Sequence, residues 1–259
     1  MVIAAEEKAP EFAVLARLFG AAFNLDPASA AMAARHSWGV LGQNLDEAAA
    51  AGLIECCAGF GIKTLKLPSP QPPLPAEETI KKAVFENSEV SFAGAAWLDL
   101  KAAPGDIAIL AAAPIKEETL RIVKTKEGPS DKEKAVRFGI MAVTGLPIGL
   151  GKNKEVKKEV KSSELSFYLD ILLAAGPRRL RLASENFDFS CLKEKKTYAS
   201  QLNFRLFCAE LAAFAPAAFR NSGLRAILEG RPLTLLNYDS IEDLEKETRR
   251  LALARAARG

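Results

Sequence analysis

The feature that most restricts how this chain folds is a proline-rich segment near residue 70. Residues 68–78 read PSPQPPLPAEE, with five prolines among the first eight positions. Because proline lacks a backbone N–H and has a fixed φ, the segment favours an extended polyproline conformation over a helix interior or a central strand. The sequence therefore predicts a semi-rigid spacer over 68–82 between two domains, 1–67 and 83–259. A ligand for an aromatic-lined domain is the alternative interpretation.

The first domain has a compact pattern of strands and helices. A short apolar strand at 2–5 precedes apolar residues at helical spacing, and Asp26 followed by Pro27 is typical of a helix start. Asp46 is the expected N-cap of a third helix over 47–59, which is followed by the alternating strand IKTLKL. The order β-α-α-β-α-β predicts a small sheet with helices packed on one face.

The first domain contains five short sequence patterns. They are V-L-x-x-L in the first helix, A-x-x-x-A in the second, an apolar strand at 40–41, the helix start D-E-A and the closing G-I-K-T-L-K-L. Together they resemble the C-terminal domain of the ribosomal stalk protein and the similarly folded Clp protease adaptor, over about a quarter of the chain. The resemblance implies a docking or adaptor domain. In the stalk protein a glycine- and lysine-rich turn between the first two helices recruits translation factors, whereas this turn reads NLDPASAA.

The second domain shows strand patterns followed by helix patterns. The expected strands lie at 89–100, 105–115, 120–125, 135–143, 164–173 and 178–189, and the last two form a hairpin. Helices are expected at 197–214 and 217–229, followed by a strand RPLTLLNY and a C-terminal helix capped by Asp239 or Ser240. This order predicts an α+β fold with an antiparallel sheet. In element order it resembles pleckstrin-homology-like barrels.

Charge and hydropathy narrow the classes of function. The net charge of +3, from 35 basic and 32 acidic side chains, is too balanced to indicate nucleic-acid binding by itself. No apolar run reaches the roughly 20 residues that a membrane-spanning helix needs. The first residues, MVIAAEEKAP, lack the basic region and long apolar core of a secretory signal, so a cytoplasmic location is expected.

Motifs for catalysis, metals and cofactors fail on their residue types. The segment GLPIGLGKNK at 145–154 lacks the first glycine and the Ser or Thr of a phosphate loop. His36 is the only histidine, and we expect it to bond the carbonyls at a helix end. No two of the four cysteines have the two-residue spacing of a zinc knuckle or a redox motif, and we expect them to be reduced and packed in the core. We therefore predict no enzymatic activity, no cofactor and no metal site.

Charged residues in the second domain leave alternatives open. Alternation along SFYLDIL predicts that Asp170 faces solvent, and a buried acid with a shifted pKa is the alternative. The lysine-rich segment 151–164 is predicted to be a solvated loop, with a basic recognition arm as the alternative. Six basic residues beside two turns are either a solvated face or an anion- or partner-binding patch: Arg178, Arg179, Arg181, Lys193, Lys195 and Lys196.

These patterns favour a non-enzymatic binding or adaptor protein whose two domains dock protein partners. Binding of nucleic acid or anionic lipid through the basic loops of the second domain is the alternative. An enzyme that uses carboxylates only is a third hypothesis, and it requires a pocket in the second domain lined by two or more acids.

Overall fold

The protein is described by a computed structural model that covers residues 1–86, 88–94, 100–127, 154–174, 176, 178–232 and 238–258. By its contacts the chain divides into two compact units, Met1–Lys116 with Leu165–Gly259 and Glu117–Glu164. The strands predicted at 135–143 and at RPLTLLNY lie wholly or largely outside the described residues, and so does the phosphate-loop-like segment 145–154. Among the described residues there is no helix with the length and apolar character that crossing a bilayer requires.

The segment 1–67, which we call the N-terminal region, contains three strands and three helices in the predicted order. The elements are β1 (Val2–Ala4), α1 (Phe12–Phe23), α2 (Pro27–Arg35), β2 (Val40–Gly42), α3 (Glu47–Gly59) and β3 (Thr64–Lys66). Strand β1 lies between β2 and β3 and is antiparallel to both. The predicted caps are confirmed, because the Asp26 side chain accepts hydrogen bonds at two backbone amides and Asp46 accepts one. The resemblance to the stalk protein stays a prediction.

A seven-stranded sheet forms the larger part of the structure. Its strands are β4 (Glu77–Glu86), β5 (Glu89–Gly94), β6 (Leu100–Ala102), β7 (Ile107–Glu127), β8 (Lys154–Leu173), β9 (Arg179–Ala183) and β10 (Phe219–Arg220). The strand order is β10-β7-β8-β9-β4-β5-β6. The pairs β4–β5, β5–β6 and β8–β9 are antiparallel, whereas β4–β9 and β7–β10 are parallel. The predicted α+β class is confirmed, and so is the predicted hairpin, which is formed by β8 and β9. The sheet contains both parallel and antiparallel pairs.

Helices cover both faces of this sheet. They are α4 (Ser200–Phe214), α5 (Ser222–Leu228) and α6 (Ile241–Ala256), with short 3₁₀ helices at Pro104–Asp106 and Phe189–Lys195. One apolar cluster contains Phe204 and Phe207 of α4, and another contains Leu244 and Leu251 of α6. Residues 109–113 of β7 alternate between these two clusters, which explains the continuous apolar run IAILAAA in a strand that is buried on both sides.

Several predicted elements have bounds that differ from the structure. The expected strands at 105–115 and 120–125 are a single strand, β7. The predicted loop at 151–164 instead contains the first part of β8, whose neighbour in the sheet is β7. Lysine and glutamate indicate that side chains are solvated, but a strand with a paired backbone can carry them too, so composition alone does not separate a loop from a solvated strand. Strand β4 also begins inside the predicted spacer, at Glu77.

The cysteines have the structural role that the sequence predicts. All four are free thiols, Cys57 and Cys208 are buried, and the other two are partly buried against the same cores. Burial raises the pKa of Cys57 and of Cys191 to about 11, so both thiols stay protonated at neutral pH.

Helix α6 connects the N-terminal region to the large sheet through Arg250. This side chain has no exposed surface, and its guanidinium donates hydrogen bonds to the backbone oxygens of Glu6 at 2.6 Å and Glu7 at 2.9 Å, with a longer one to Ala4 at 3.4 Å. Residues on both sides of the proline-rich segment consequently belong to one compact unit. Independent folding of the N-terminal region stays a prediction.

Gly39 provides a test of this connection. Its φ is +79°, and a Cβ placed there would lie 2.6 Å from Cδ of Arg250, whose guanidinium is held by backbone oxygens. We expect Gly39→Ala to lower the free energy of unfolding by about 2–4 kcal/mol, from left-handed strain together with overpacking. Urea denaturation followed by circular dichroism measures this change.

Gly61→Ala is the matched control. Gly61 also has a positive φ, +71°, but a Cβ at this position would meet nothing within 4 Å. The control should therefore cost only the backbone strain, about 1–2 kcal/mol. Equal losses in the two variants would contradict the packing of Arg250 against Gly39.

Candidate functional site

The six basic residues singled out in the sequence do not form one patch. Arg179 and Arg181 contact Glu245 of α6, at 2.9 and 3.1 Å, on one face of the sheet. Lys195 pairs with Glu210 of α4, and α4 packs on the opposite face. The structure therefore separates the arginines of β9 from the lysines that follow it.

Five of these six residues already have an acidic partner. Arg178 binds Glu78 with Nε at 2.7 Å from Oε1, and Lys196 lies 3.7 Å from Asp188. The ion pairs of Arg179, Arg181 and Lys195 are the other three. Lys193 is the residue of the six without an acidic partner among the described residues, and its backbone φ is +50°. Neutralised side chains of this kind are weak attractors of a further anion, so the predicted patch is not where the structure concentrates unpaired positive charge.

Asp170 is buried, so the prediction that it faces solvent is wrong. Its side chain has no exposed surface and accepts two hydrogen bonds from Arg181, at 2.6 and 2.8 Å. Burial raises the pKa of Asp170, and the two bonds from Arg181 oppose that shift. The alternation argument fails because both faces of β8 are covered, and the face opposite Phe167 and Leu169 packs under α6 instead of meeting water.

His36 has neighbours that are distant in sequence. Its ring Nδ1 lies 3.8 Å from Oδ1 of Asp243, and with Asp239 the three side chains place one possible ligand atom each within 4.8 Å of one another. The aspartates are some 200 positions away, which is why spacing along the chain does not reveal them. Arg35 donates a hydrogen bond of 2.7 Å to Asp239, so a cation bound here would compete with this arginine.

A large apolar concavity, a groove of about 720 Å³, follows the C-terminal half of α6. One wall is the proline-rich segment 72–75, and the opposite wall is the outward side of α6. The floor comes from the ends of β7 and β8 together with Phe219. We call this concavity the α6 groove. Its apolar lining includes Leu74, Ile109, Leu172, Phe219, Ala252 and Leu253.

Four arginines border the α6 groove, and no carboxylate is found among the described residues that line it. Three of the guanidinium groups are held in place by backbone oxygens or by ring contacts. Arg255 and Arg258 lie over the ring of Phe219, at 5.4 and 5.1 Å from its centroid, and Arg249 donates to the Gln71 carbonyl at 2.7 Å. Arg178 is the fourth, paired with Glu78.

Three of these arginines are not neutralised. In the described parts of the chain, Arg249, Arg255 and Arg258 have backbone oxygens as hydrogen-bond acceptors and no ion pair with Asp or Glu. A carbonyl oxygen satisfies a donor without cancelling its charge. The rim of the α6 groove is therefore electropositive above an apolar floor.

Sequence reasoning missed this site, although a signal was present. The end of α6 reads LALARAAR, in which apolar residues occur on more than the one face that the core needs. The sequence interpretation of the proline-rich segment is a spacer or a ligand for an aromatic-lined domain, whereas in the structure residues 72–75 line the groove. Comparisons of the chain with protein families, with curated proteins and with solved structures find no match.

The buried pair of Asp170 and Arg181 supports the sheet beneath α6, and its removal is testable. We expect Asp170→Asn to lower the free energy of unfolding by about 3–5 kcal/mol, because Arg181 is left buried with too little negative charge beside it. Replacing both residues with leucine should recover most of the loss, since no unpaired charge then remains. Thermal and urea denaturation measure both variants.

Glu78→Gln is the control, because Glu78 pairs with an arginine in a partly exposed site. It should cost about 1 kcal/mol or less. If Asp170→Asn costs no more than this control, the buried pair is not important for stability.

Proposed function

We propose that this chain is a non-enzymatic binding protein and that the α6 groove receives an apolar helix or extended segment of a protein partner that carries carboxylates. The observation that supports this proposal is the combination of a large apolar floor with a rim of arginines, three of which have no carboxylate partner in the described structure.

The volume and lining of the groove favour an apolar ligand surface. A concavity of about 720 Å³ falls within the range of roughly 300–1,000 Å³ that is typical of ligand sites, and it can hold several apolar side chains. Leu253, Ala252 and Ala256 are only partly buried or exposed on α6. Covering this surface removes apolar area from water, which is the main favourable contribution to association.

The rim favours acidic residues in the partner. Opposite charges that meet across an interface increase the rate of association and exclude partners of the wrong charge. Arginine is suited to this because its guanidinium binds a carboxylate through two parallel hydrogen bonds. The guanidinium groups of Arg255 and Arg258 are already positioned by backbone and ring contacts, so less side-chain entropy is lost when a carboxylate binds.

A protein partner fits these contacts better than nucleic acid or an anionic bilayer. Single-stranded nucleic acid uses exposed aromatic faces for base stacking, whereas the Phe219 ring is covered by two arginines. Polybasic segments that bind lipid are clusters of solvated lysines and arginines, whereas five of the six basic residues near β9 are in ion pairs. The resemblance of the N-terminal region to docking domains agrees with this proposal.

The test uses the full chain and a phage-displayed library of random 16-residue peptides. We expect the selected peptides to combine apolar residues at helical or alternating spacing with Asp or Glu. Ala256→Glu places a negative charge in the groove, so we expect it to weaken binding of the selected peptides at least tenfold, about 1.4 kcal/mol. Fluorescence anisotropy with a labelled selected peptide measures the dissociation constant.

Ala58→Glu is the control, because Ala58 is exposed on a helix and does not line the groove. It should leave peptide binding unchanged. Selection of basic peptides would overturn the proposal, and so would equal losses of binding in the two variants. It would also be overturned if no peptide is selected and the chain instead binds anionic vesicles in a way that Ala256→Glu abolishes.

A further inference from the structure

A second and smaller cavity lies on the other side of Arg249 from the α6 groove. Its volume is about 280 Å³, and it shares Pro73, Leu74, Arg249 and Leu253 with the groove. The remaining wall comes from Met1, Val40 and Gln43 of the N-terminal region, from Arg179 of β9, and from Glu245, Lys246 and Arg250 of α6. We call this concavity the basic cavity.

Four cationic side chains line the basic cavity, and Glu245 is the one acid that lines it among the described residues. Glu245 is already engaged, because its carboxylate accepts hydrogen bonds from Arg179 at 2.9 Å and from Arg181 at 3.1 Å. Of the other three cations, Lys246 interacts electrostatically with Asp243, and Arg250 with Glu247 and Glu7, so these two charges are partly balanced at longer range.

The acceptors of these three cations are backbone oxygens. Lys246 donates to the His36 carbonyl at 2.6 Å, and Arg249 donates to the Gln71 carbonyl at 2.7 Å. Arg250 donates to carbonyls that follow β1. Within the described residues none of the three is within ion-pair distance of a carboxylate.

Several hydrogen-bond donors of the lining residues are also unsatisfied. In the described part of the chain, the Nε atoms of Arg179, Arg249 and Arg250 are buried and have no hydrogen-bond partner. Buried donors without an acceptor are uncommon in folded proteins and cost free energy. These three atoms have almost no accessible surface, so they add positive potential beside the cavity without contacting its contents. Burial also lowers the pKa of Lys246 and of Arg250, which means that the surroundings disfavour the positive charge that these residues carry.

We propose that the basic cavity binds a phosphate group, either as inorganic phosphate or as the phosphate of a small monoester. Lys246 and Arg249 are only partly buried and have no ion pair among the described residues, so they suit a divalent anion better than a monovalent carboxylate. Phosphate offers several acceptor oxygens to their ammonium and guanidinium donors. A volume of about 280 Å³ exceeds the roughly 30 Å³ share of one water by enough to admit a phosphate and a short organic substituent.

This inference goes beyond the proposed function, and the two are tested by different variants. Lys246 lines the basic cavity and not the α6 groove, whereas Ala256 and Arg258 line the groove and not the cavity. Loss of phosphate binding and loss of peptide binding can therefore be measured independently.

Isothermal titration of the full chain with sodium phosphate, at constant ionic strength and pH 7.5, is the experiment. We expect saturable binding that Lys246→Gln and Arg249→Gln each weaken about tenfold or more. Arg258→Gln, a matched change on the rim of the groove, should leave the affinity unchanged. Glycerol phosphate distinguishes the two sources, because tighter binding than inorganic phosphate indicates a monoester and equal or weaker binding indicates free phosphate.

Gln43→Glu keeps the inference testable if the other variants lose stability. Gln43 is exposed, so the substitution is compatible with folding, and its carboxylate would supply negative charge at the cavity. We expect this variant to have a raised melting temperature without phosphate and weaker phosphate binding. The proposal would be overturned if phosphate binding is not saturable or if acetate binds with equal affinity. An unchanged phosphate affinity in both Lys246→Gln and Gln43→Glu would also overturn it.

Discussion

Two charged side chains of α6, Glu247 and Arg250, have no exposed surface, and the surrounding structure bonds the Glu247 carboxylate and the two terminal nitrogens of Arg250. The Glu247 carboxylate accepts hydrogen bonds from the Ser222 amide and hydroxyl, the Asn221 amide group and the Tyr238 hydroxyl. Arg250, one turn later, binds the backbone that follows β1. A buried charge that loses its partners costs several kcal/mol, so these contacts specify where the N-terminal region, α5 and α6 meet.

Neighbouring contacts reinforce this junction. The Trp38 ring stacks on Tyr238, with centroids 4.0 Å apart and planes 11° apart, and Tyr238 also accepts a hydrogen bond from the Gly223 amide. Asn221 caps α5 and exchanges hydrogen bonds with the Ala112 backbone in β7. The side chains of Asn221, Tyr238 and Glu247 bond one another, and such a network holds α6 in one position on the sheet.

The same helix places both proposed binding features. Its inward side carries Leu244, Glu247 and Leu251, which are buried. Its other sides carry Ala252 and Ala256 toward the α6 groove and Lys246 toward the basic cavity, with Arg249 between the two. Because the helix repeats every 3.6 residues, one short sequence supplies an apolar wall, a cationic wall and a buried anchor. The two proposed sites therefore lie side by side on one helix.

The sequence was informative where structure is determined by neighbours in the chain. Asp26 with Pro27, and Asp46, mark helix starts because capping needs only the next three residues. The sequence was uninformative where contacts between residues far apart in the chain determine the structure. Asp170 is buried because Arg181 and α6 come over it, and the arginines of β9 are neutralised by acids that lie far along the chain. The groove depends on a spacer, two strand ends and a helix that only the fold brings together.

We propose that α6 joins the N-terminal region and the seven-stranded sheet into one cooperative unit, in place of the two independently folding domains that the sequence predicts. Native-state hydrogen exchange of the full chain, measured at increasing low urea concentrations, tests it most directly. Amides of α3, such as that of Leu53, and of β9, such as that of Leu180, should exchange through openings with the same free energy and the same urea dependence. If the amides of α3 exchange through an opening of markedly lower free energy while those of β9 remain protected, the N-terminal region unfolds separately and the claim is contradicted.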